Sequence, residues 1–198
     1  MEAEDLRPDD VAPPASRTSA ASPAWGLLLG VGGVVVLADQ ASKLWAYRAL
    51  SGLLVSGAAP SRKTVVAGYF DLCFAQNPGG AWSFLRSLPD GLRRPFFLVV
   101  ASVASVVIVS TYSHLRPEQR AVRWGLALAL GGALGNLVDR VRFGWVIDFL
   151  DLYVVRGGQP HHWPTFNVAD IAICVGVGLL CWDLLGTARR EGAAGTSA

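Results

Sequence analysis

Four long apolar stretches constrain this chain more than any other feature. Residues 24–47, 95–113, 121–140 and 168–187 are each close to or above the ~20 residues that cross a ~30 Å hydrocarbon layer. Inside such a layer the backbone has no water to bond, so a helix is the expected form of each span. Composition agrees: of 198 residues, 52% are apolar and 16% charged, against about 25% charged in soluble domains. The first stretch outlasts the apolar core of a signal peptide. It ends in Asp39, Gln40 and Lys43 where a cleavage site would carry small residues, so it reads as a span. The net charge of +2 is small and dispersed, which argues against nucleic acid.

The spans divide the chain into a membrane domain, residues 24–187, between a disordered, acidic and Pro-rich tail at 1–23 and a short tail at 188–198. Four crossings put both termini on one side and two long excursions, 48–94 and 141–167, on the other. Lys and Arg are nearly balanced between the two sides and favour internal termini only slightly. The first excursion is punctuated by Gly and Pro, and its residues 64–75 carry the Val, Tyr and Phe content of strands, so a small sheet of a few short strands is expected there. Within it, Gln76-Asn77-Pro78-Gly79-Gly80-Ala81-Trp82-Ser83-Phe84 has the residue types of a turn. Its functional reading is a backbone-exposing turn that approaches an extended substrate, with Trp82 and Phe84 at the membrane interface. Pro95 is expected in the first turn of the second helix. Gly125, Gly131, Gly132 and Gly135 give the third a smooth packing face. Cys73, Cys174 and Cys181 are odd in number and read as small hydrophobes. His161 and His162 are adjacent, a poor spacing for one metal, so neither a metal nor a cofactor is expected.

Against this apolar background the polar residues stand out. Asp39 and Lys43, four apart, share a helical face and can pair, although Lys43 is equally able to snorkel to the interface. Asn136 and Asp139 near the end of the third span, and Asn167 and Asp170 at the start of the fourth, each project from one face. The excursion between them begins and ends on one side, so both pairs lie at the same interface. Carboxylates brought together there cannot both ionise cheaply, and a pair sharing one proton has the chemistry of an aspartic protease.

Three aspartates compete to partner Asp170. Asp139 is followed by Arg140, a fixed cation that suits it to scaffolding. Asp148 stands in Trp145-Val146-Ile147-Asp148-Phe149-Leu150, where apolar neighbours would desolvate it. Asp151 is read as structural, on the solvated face of a short amphipathic helix.

Five blocks in order carry a resemblance: Asp39-Gln40 with Lys43; Asn77-Pro78-Gly79-Gly80-Ala81-Trp82; Gly131-Gly132 with Gly135-Asn136 and Asp139-Arg140; Gly144 with Val146-Ile147-Asp148-Phe149; and Phe166-Asn167 with Ala169-Asp170. Together, over residues 24–185, they resemble the lipoprotein signal peptidases, the type II signal peptidases of bacteria. The resemblance implies an all-α membrane fold of four transmembrane helices with a small extracytoplasmic β-sheet, to which the reading of Asp151 adds a short extracytoplasmic amphipathic helix. It implies a protease of the bacterial cytoplasmic membrane, with its active site outward and both termini cytoplasmic. The implied reaction removes the signal peptide just before a Cys that carries a diacylglyceryl thioether. The implied catalytic pair is Asp148 and Asp170. Asn136, Asp139, Arg140 and Asn167 match supporting polar residues, Asp39 and Asn77 match others near the substrate, and Lys43, Gly79 and Ala169 fall within the same blocks. Expected partners are the diacylated prolipoprotein, membrane lipids and cyclic peptide antibiotics such as globomycin, with the chain acting as a monomer. Gly80 departs from the family pattern, where a second Ala is common, and the segment from Arg156 to Trp163 is longer than usual. Two other classes are weighed. A small transporter would also carry intramembrane Asp and Lys, but no internal repeat is present. A structural membrane protein would use its polar residues as glue between helices, and would leave Asp148 and Asp170 without a role.

Overall fold

The computed structural model describes residues 25–53, 62–79 and 89–195, with side chains to residue 186. The acidic tail and the Trp82 and Phe84 half of the turn block, with Gly80 and Ala81, lie outside the described residues. Four helices are long and apolar enough to cross a membrane: α1 (Trp25–Leu50), α2 (Asp90–Ser113), α3 (Arg120–Phe143) and α4 (Val168–Gly195). Four strands complete the fold: β1 (Arg62–Val66), β2 (Phe70–Asn77), β3 (Val146–Arg156) and β4 (Gln159–His162).

Helix boundaries extend past the apolar stretches because backbone bonding does not end where hydropathy does. α2 starts at Asp90, so Pro95 lies inside it and not in its first turn. The backbone N–H groups of Leu92 and Arg93 donate to Pro89 O at 2.9 and 3.1 Å and begin the helix there. α3 stops at Gly144, whose φ of 82° is open to glycine and costly for other residues. Its N–H closes onto Arg140 O at 3.1 Å. α4 continues to Gly195, although its apolar span ends at Gly186.

The sheet corrects the expectation drawn from the first excursion. Its order is β1-β2-β3-β4, all antiparallel, so each excursion supplies two strands and the seam between β2 and β3 joins them. The short amphipathic helix expected around Asp151 is strand β3, and Asp151 is fully buried in it, not solvated. Asp151 binds Arg62 of β1 on one oxygen and His162 Nδ1 of β4 at 3.0 Å on the other, so it ties the outer strands across the sheet. A register shift between Leu72 and Ala75 lets the adjacent Cys73 and Phe74 both be buried. Phe74 then packs with Ala46 and Leu50 of α1 and with Ile147 and Phe149 of β3, a cluster that fixes the sheet to the helices.

α3 is the central helix, and its glycines set how closely α1 and α4 approach. A Cβ on Gly132 would lie 2.4 Å from Ala169 O, and one on Gly135 would lie 2.6 Å from Asp39 Oδ2. Backbone cannot move away as a flexible side chain can. Gly132→Ala is therefore expected to destabilise the protein by about 1–3 kcal/mol through overpacking. Gly30→Ala, where nothing lies within 4 Å, should be near neutral, and thermal unfolding of the two purified variants compares them.

Candidate active site

The start of α4 is closed by its own capping residues and by a side chain from α1. Asn167 is its N-cap: the N–H of Asp170 donates to Asn167 Oδ1 at 3.1 Å, and Asp170 Oδ2 accepts the Asn167 N–H at 3.2 Å. This is a reciprocal capping box with Asp in the place of the usual Glu. The next free donor, the N–H of Ala169, goes to Asp39 Oδ1 at 3.0 Å. Asp39 thus joins α1 to α4, which requires the close approach that Gly135 permits.

Lys43 does not snorkel. It is 1% exposed, and its ammonium meets Asp39 Oδ2 at 2.8 Å, Asp139 Oδ2 at 3.1 Å and Asn136 Oδ1 at 2.8 Å. Three donors meet three acceptors, which is what a cation needs in a site without water. Asp139 was expected to pair with Arg140, but its cation is Lys43. The remaining acceptor capacity of Asp139 takes the backbone N–H of Ile147 at 3.0 Å and Gln40 Nε2 at 3.0 Å. Asp139 therefore anchors the start of β3 to α3 and α1.

The amide orientations follow. Lys43 holds Asn136 Oδ1, so Asn136 Nδ2 points at Asp170 Oδ1, 2.8 Å away. The N–H of Asp170 holds Asn167 Oδ1, so Asn167 Nδ2 faces Asp148 Oδ1 at 2.7 Å. In β2, the Gly79 N–H donates to Asn77 Oδ1 at 3.1 Å, which turns Asn77 Nδ2 toward Asp148 Oδ2 at 2.8 Å. The block thus forms a turn and also presents the Asn77 amide to Asp148. Asn77 stands opposite Val146 and Ala75 opposite Asp148, so Asn77 and Asp148 are diagonal neighbours on one face.

Asp148 and Asp170 line one cavity of about 1100 Å³, together with Asn77, Asn136 and Arg140. Its outer wall is the β3–β4 hairpin with Tyr153, Arg156 and His162, and its apolar floor includes Ile171 and Val175 of α4. Burial, and then the negative charge of Asp170, push the Asp148 carboxyl up to about 7, although Asn77 and Asn167 both donate to it. Asp151 and Asp139 are engaged elsewhere, whereas Asp148 lines the same cavity as Asp170. Arg140 is the least engaged cation of the group. Its hydrogen bond to Asn136 O is long, 3.4 Å, and its Nε is buried without a partner. No group of three or more His, Cys, Asp or Glu side chains that could hold a metal is found among the described residues. Burial, with Asp151 nearby, also raises the Cys73 thiol to about 12, so it is no nucleophile.

Comparison with known proteins shows the family. The family model described as signal peptidase (SPase) II matches residues 31–186, which span every residue of the site. The chain belongs to the signal peptidase II family. The lipoprotein signal peptidase of Geobacter metallireducens is 45% identical over 158 residues, covering 80% of this chain and 90% of that protein. That of Syntrophotalea carbinolica is 44% identical over 154 residues, covering 78% and 88%. A bacterial membrane enzyme solved by the in meso method at 2.3 Å resolution shares the fold, with a TM-score of 0.69 over 86% of this chain and 94% of that one at 23% identity. Membership in the signal peptidase II family makes the chain a membrane protease.

Two participants had little sequence signal. Gln40 donates to Asp39, Gly135 O and Asp139, and only its place beside Asp39 in an apolar run marked it. Phe97 carries the Arg140 guanidinium 4.9 Å above its ring, and an aromatic in an apolar span gives no warning of that. Because Lys43 neutralises two buried carboxylates, Lys43→Met is expected to cost about 3–5 kcal/mol. The expected result is loss of folded protein on purification, read by thermal unfolding and yield.

Proposed function

We propose that this protein is an aspartic endopeptidase that removes the signal peptide from diacylglyceryl-modified prolipoproteins, cutting on the amino side of the lipidated Cys. The observation that carries the reading is the joining of Asp148 and Asp170 through Asn167, whose amide donates to one carboxyl and whose backbone N–H donates to the other at the wall of one cavity. The names of the relatives support the substrate class. The apolar floor and polar wall of the cavity suit a ligand with acyl chains and a peptide. The proposed setting is a bacterial cytoplasmic membrane, with both long excursions outside and both termini inside. Globomycin-type cyclic peptides are expected to occupy the same cavity.

In the proposed reaction Asp148 starts protonated and Asp170 ionised, since Asp148 is the deeper of the two and holds its proton to about pH 7. Asp170 takes a proton from a water, whose oxygen attacks the scissile carbonyl carbon while Asp148 gives its proton to the carbonyl oxygen. The resulting diol collapses: Asp148 recovers a proton from a hydroxyl, Asp170 delivers its own to the departing amide nitrogen, and the C–N bond breaks. Arg140, at the wall with unspent N–H donors, holds a substrate carbonyl. Asn77, Asn136 and Asn167 keep the two carboxyls in place, with Asp39, Lys43, Asp139 and Ala169 behind them.

Asp148→Asn and Asp170→Asn are each expected to abolish cleavage of a diacylated prolipoprotein, by about 10⁴-fold or more, while the purified protein stays folded. Substantial activity in either would remove that residue from the pair. The pH profile gives a second test. Asp148 acts as an acid whose pKa is raised to about 7, so activity should fall as pH rises through about 7. Asn77→Ala removes a donor that favours the ionised form, so its alkaline limb should move to higher pH; an unmoved limb in steady-state kinetics would count against Asp148 as the acid.

A further inference from the structure

The Arg140 guanidinium is held in an unusual way for a half-buried cation. Among the described residues no ion pair within 4 Å holds it, the carboxyls of Asp148 and Asp170 are met by neutral amides, and its hydrogen bond to Asn136 O is 3.4 Å long. The ring of Phe97 on α2 lies against it, 4.9 Å from its centre. α2 is otherwise the loosest of the four helices, with 6% of its span buried. Its inner end packs through Tyr112 and Ile108 on the Leu28 and Leu126 cluster. Its outer end is latched to the end of α3, where Arg94 donates to Val141 O at 2.9 Å and lies across Gly144. That latch brings Phe97 under Arg140 and nowhere else in the site.

We propose that Phe97 is a positioning residue: its ring face holds the Arg140 guanidinium at the cavity wall, turned toward a substrate carbonyl, and so makes α2 part of the active site. The proposal rests on the proteolytic reading above and adds to it a specific route by which a peripheral helix controls substrate binding. An apolar plug would serve packing equally well, but only an aromatic face attracts the cation and fixes its plane. A partly desolvated cation on such a face is held strongly enough that losing the ring should cost about tenfold in binding. Phe96, which meets Phe97 edge-on at 5.3 Å and is exposed toward the lipid side, is the matched control.

The test uses the full-length protein in detergent or nanodiscs, a synthetic diacylated prolipopeptide, and separate measurement of kcat and KM. Phe97→Leu is expected to raise KM about tenfold with kcat changed less than twofold and the thermal midpoint unchanged. Phe97→Tyr, which keeps the ring face, should recover the parental KM, and Phe96→Leu should match the parent. Should Phe97→Leu unfold, Phe97→Met is read by the same criterion. A parental KM in the Leu or Met variant, or a Tyr variant as defective as the Leu variant, would overturn the proposal. Failure of the proteolytic reading is separate, because it appears as absent cleavage by the parent or as activity in Asp148→Asn, whatever Phe97 does.

Discussion

One ammonium group organises the interior of this protein. Lys43 sits where water is excluded, and an unpaired charge there would cost several kcal/mol, so its three donors must be matched. The matching groups come from α1 and α3, and each does a second job. Asp39 reaches on to cap α4, Asp139 reaches on to hold β3, and Asn136 is turned so that its amide faces Asp170. Remove the cation, and two carboxylates and an amide lose their orientation together. A polar network in a membrane that is fully satisfied can be both glue and preorganisation.

That double use addresses the reading of the polar residues as mere adhesive between helices. Asp39, Lys43, Asp139 and Gln40 do bind elements together, and their hydrogen-bonding capacity is largely consumed in doing so. Asp148, Asp170 and Arg140 differ, because they line open volume, and the two carboxyls are linked through Asn167. Burying such a pair is unfavourable for folding, which supports the proposed chemistry. The transporter reading loses its ground as well, since the chain matches a peptidase family through the whole membrane domain.

The seam between β2 and β3 is the second constraint. It brings two excursions that lie far apart in sequence into one sheet, and its register places Asn77 diagonally from Asp148. The Asx turn at Gly79 aims the amide, and the bulge after Leu72 buries Cys73 and Phe74 together against α1. Farther along β3, Asp151 closes the outer strands through Arg62 and His162, so the hairpin wall of the cavity is braced by side chains and not only by backbone bonding.

Four spans, the two excursions and the polar pairs were readable from residue types, because hydrophobic length and i, i+3 spacing are local properties of the chain. That Asp148 and Asp170 share one cavity was readable only in part: apolar neighbours marked Asp148, while its pairing with Asp170 was implied by the family resemblance. Tertiary structure decided what depends on register and on contacts distant in sequence. It put Asp151 in a buried strand instead of on a solvated helix, because β3 continues past the site to pair with β2 and β4. It gave Asp139 to Lys43 instead of Arg140, because neighbours in a helix point to different faces while α1 presents its lysine across the gap. It left Arg140 to an aromatic ring on α2, a contact between two helices that no spacing within either one encodes.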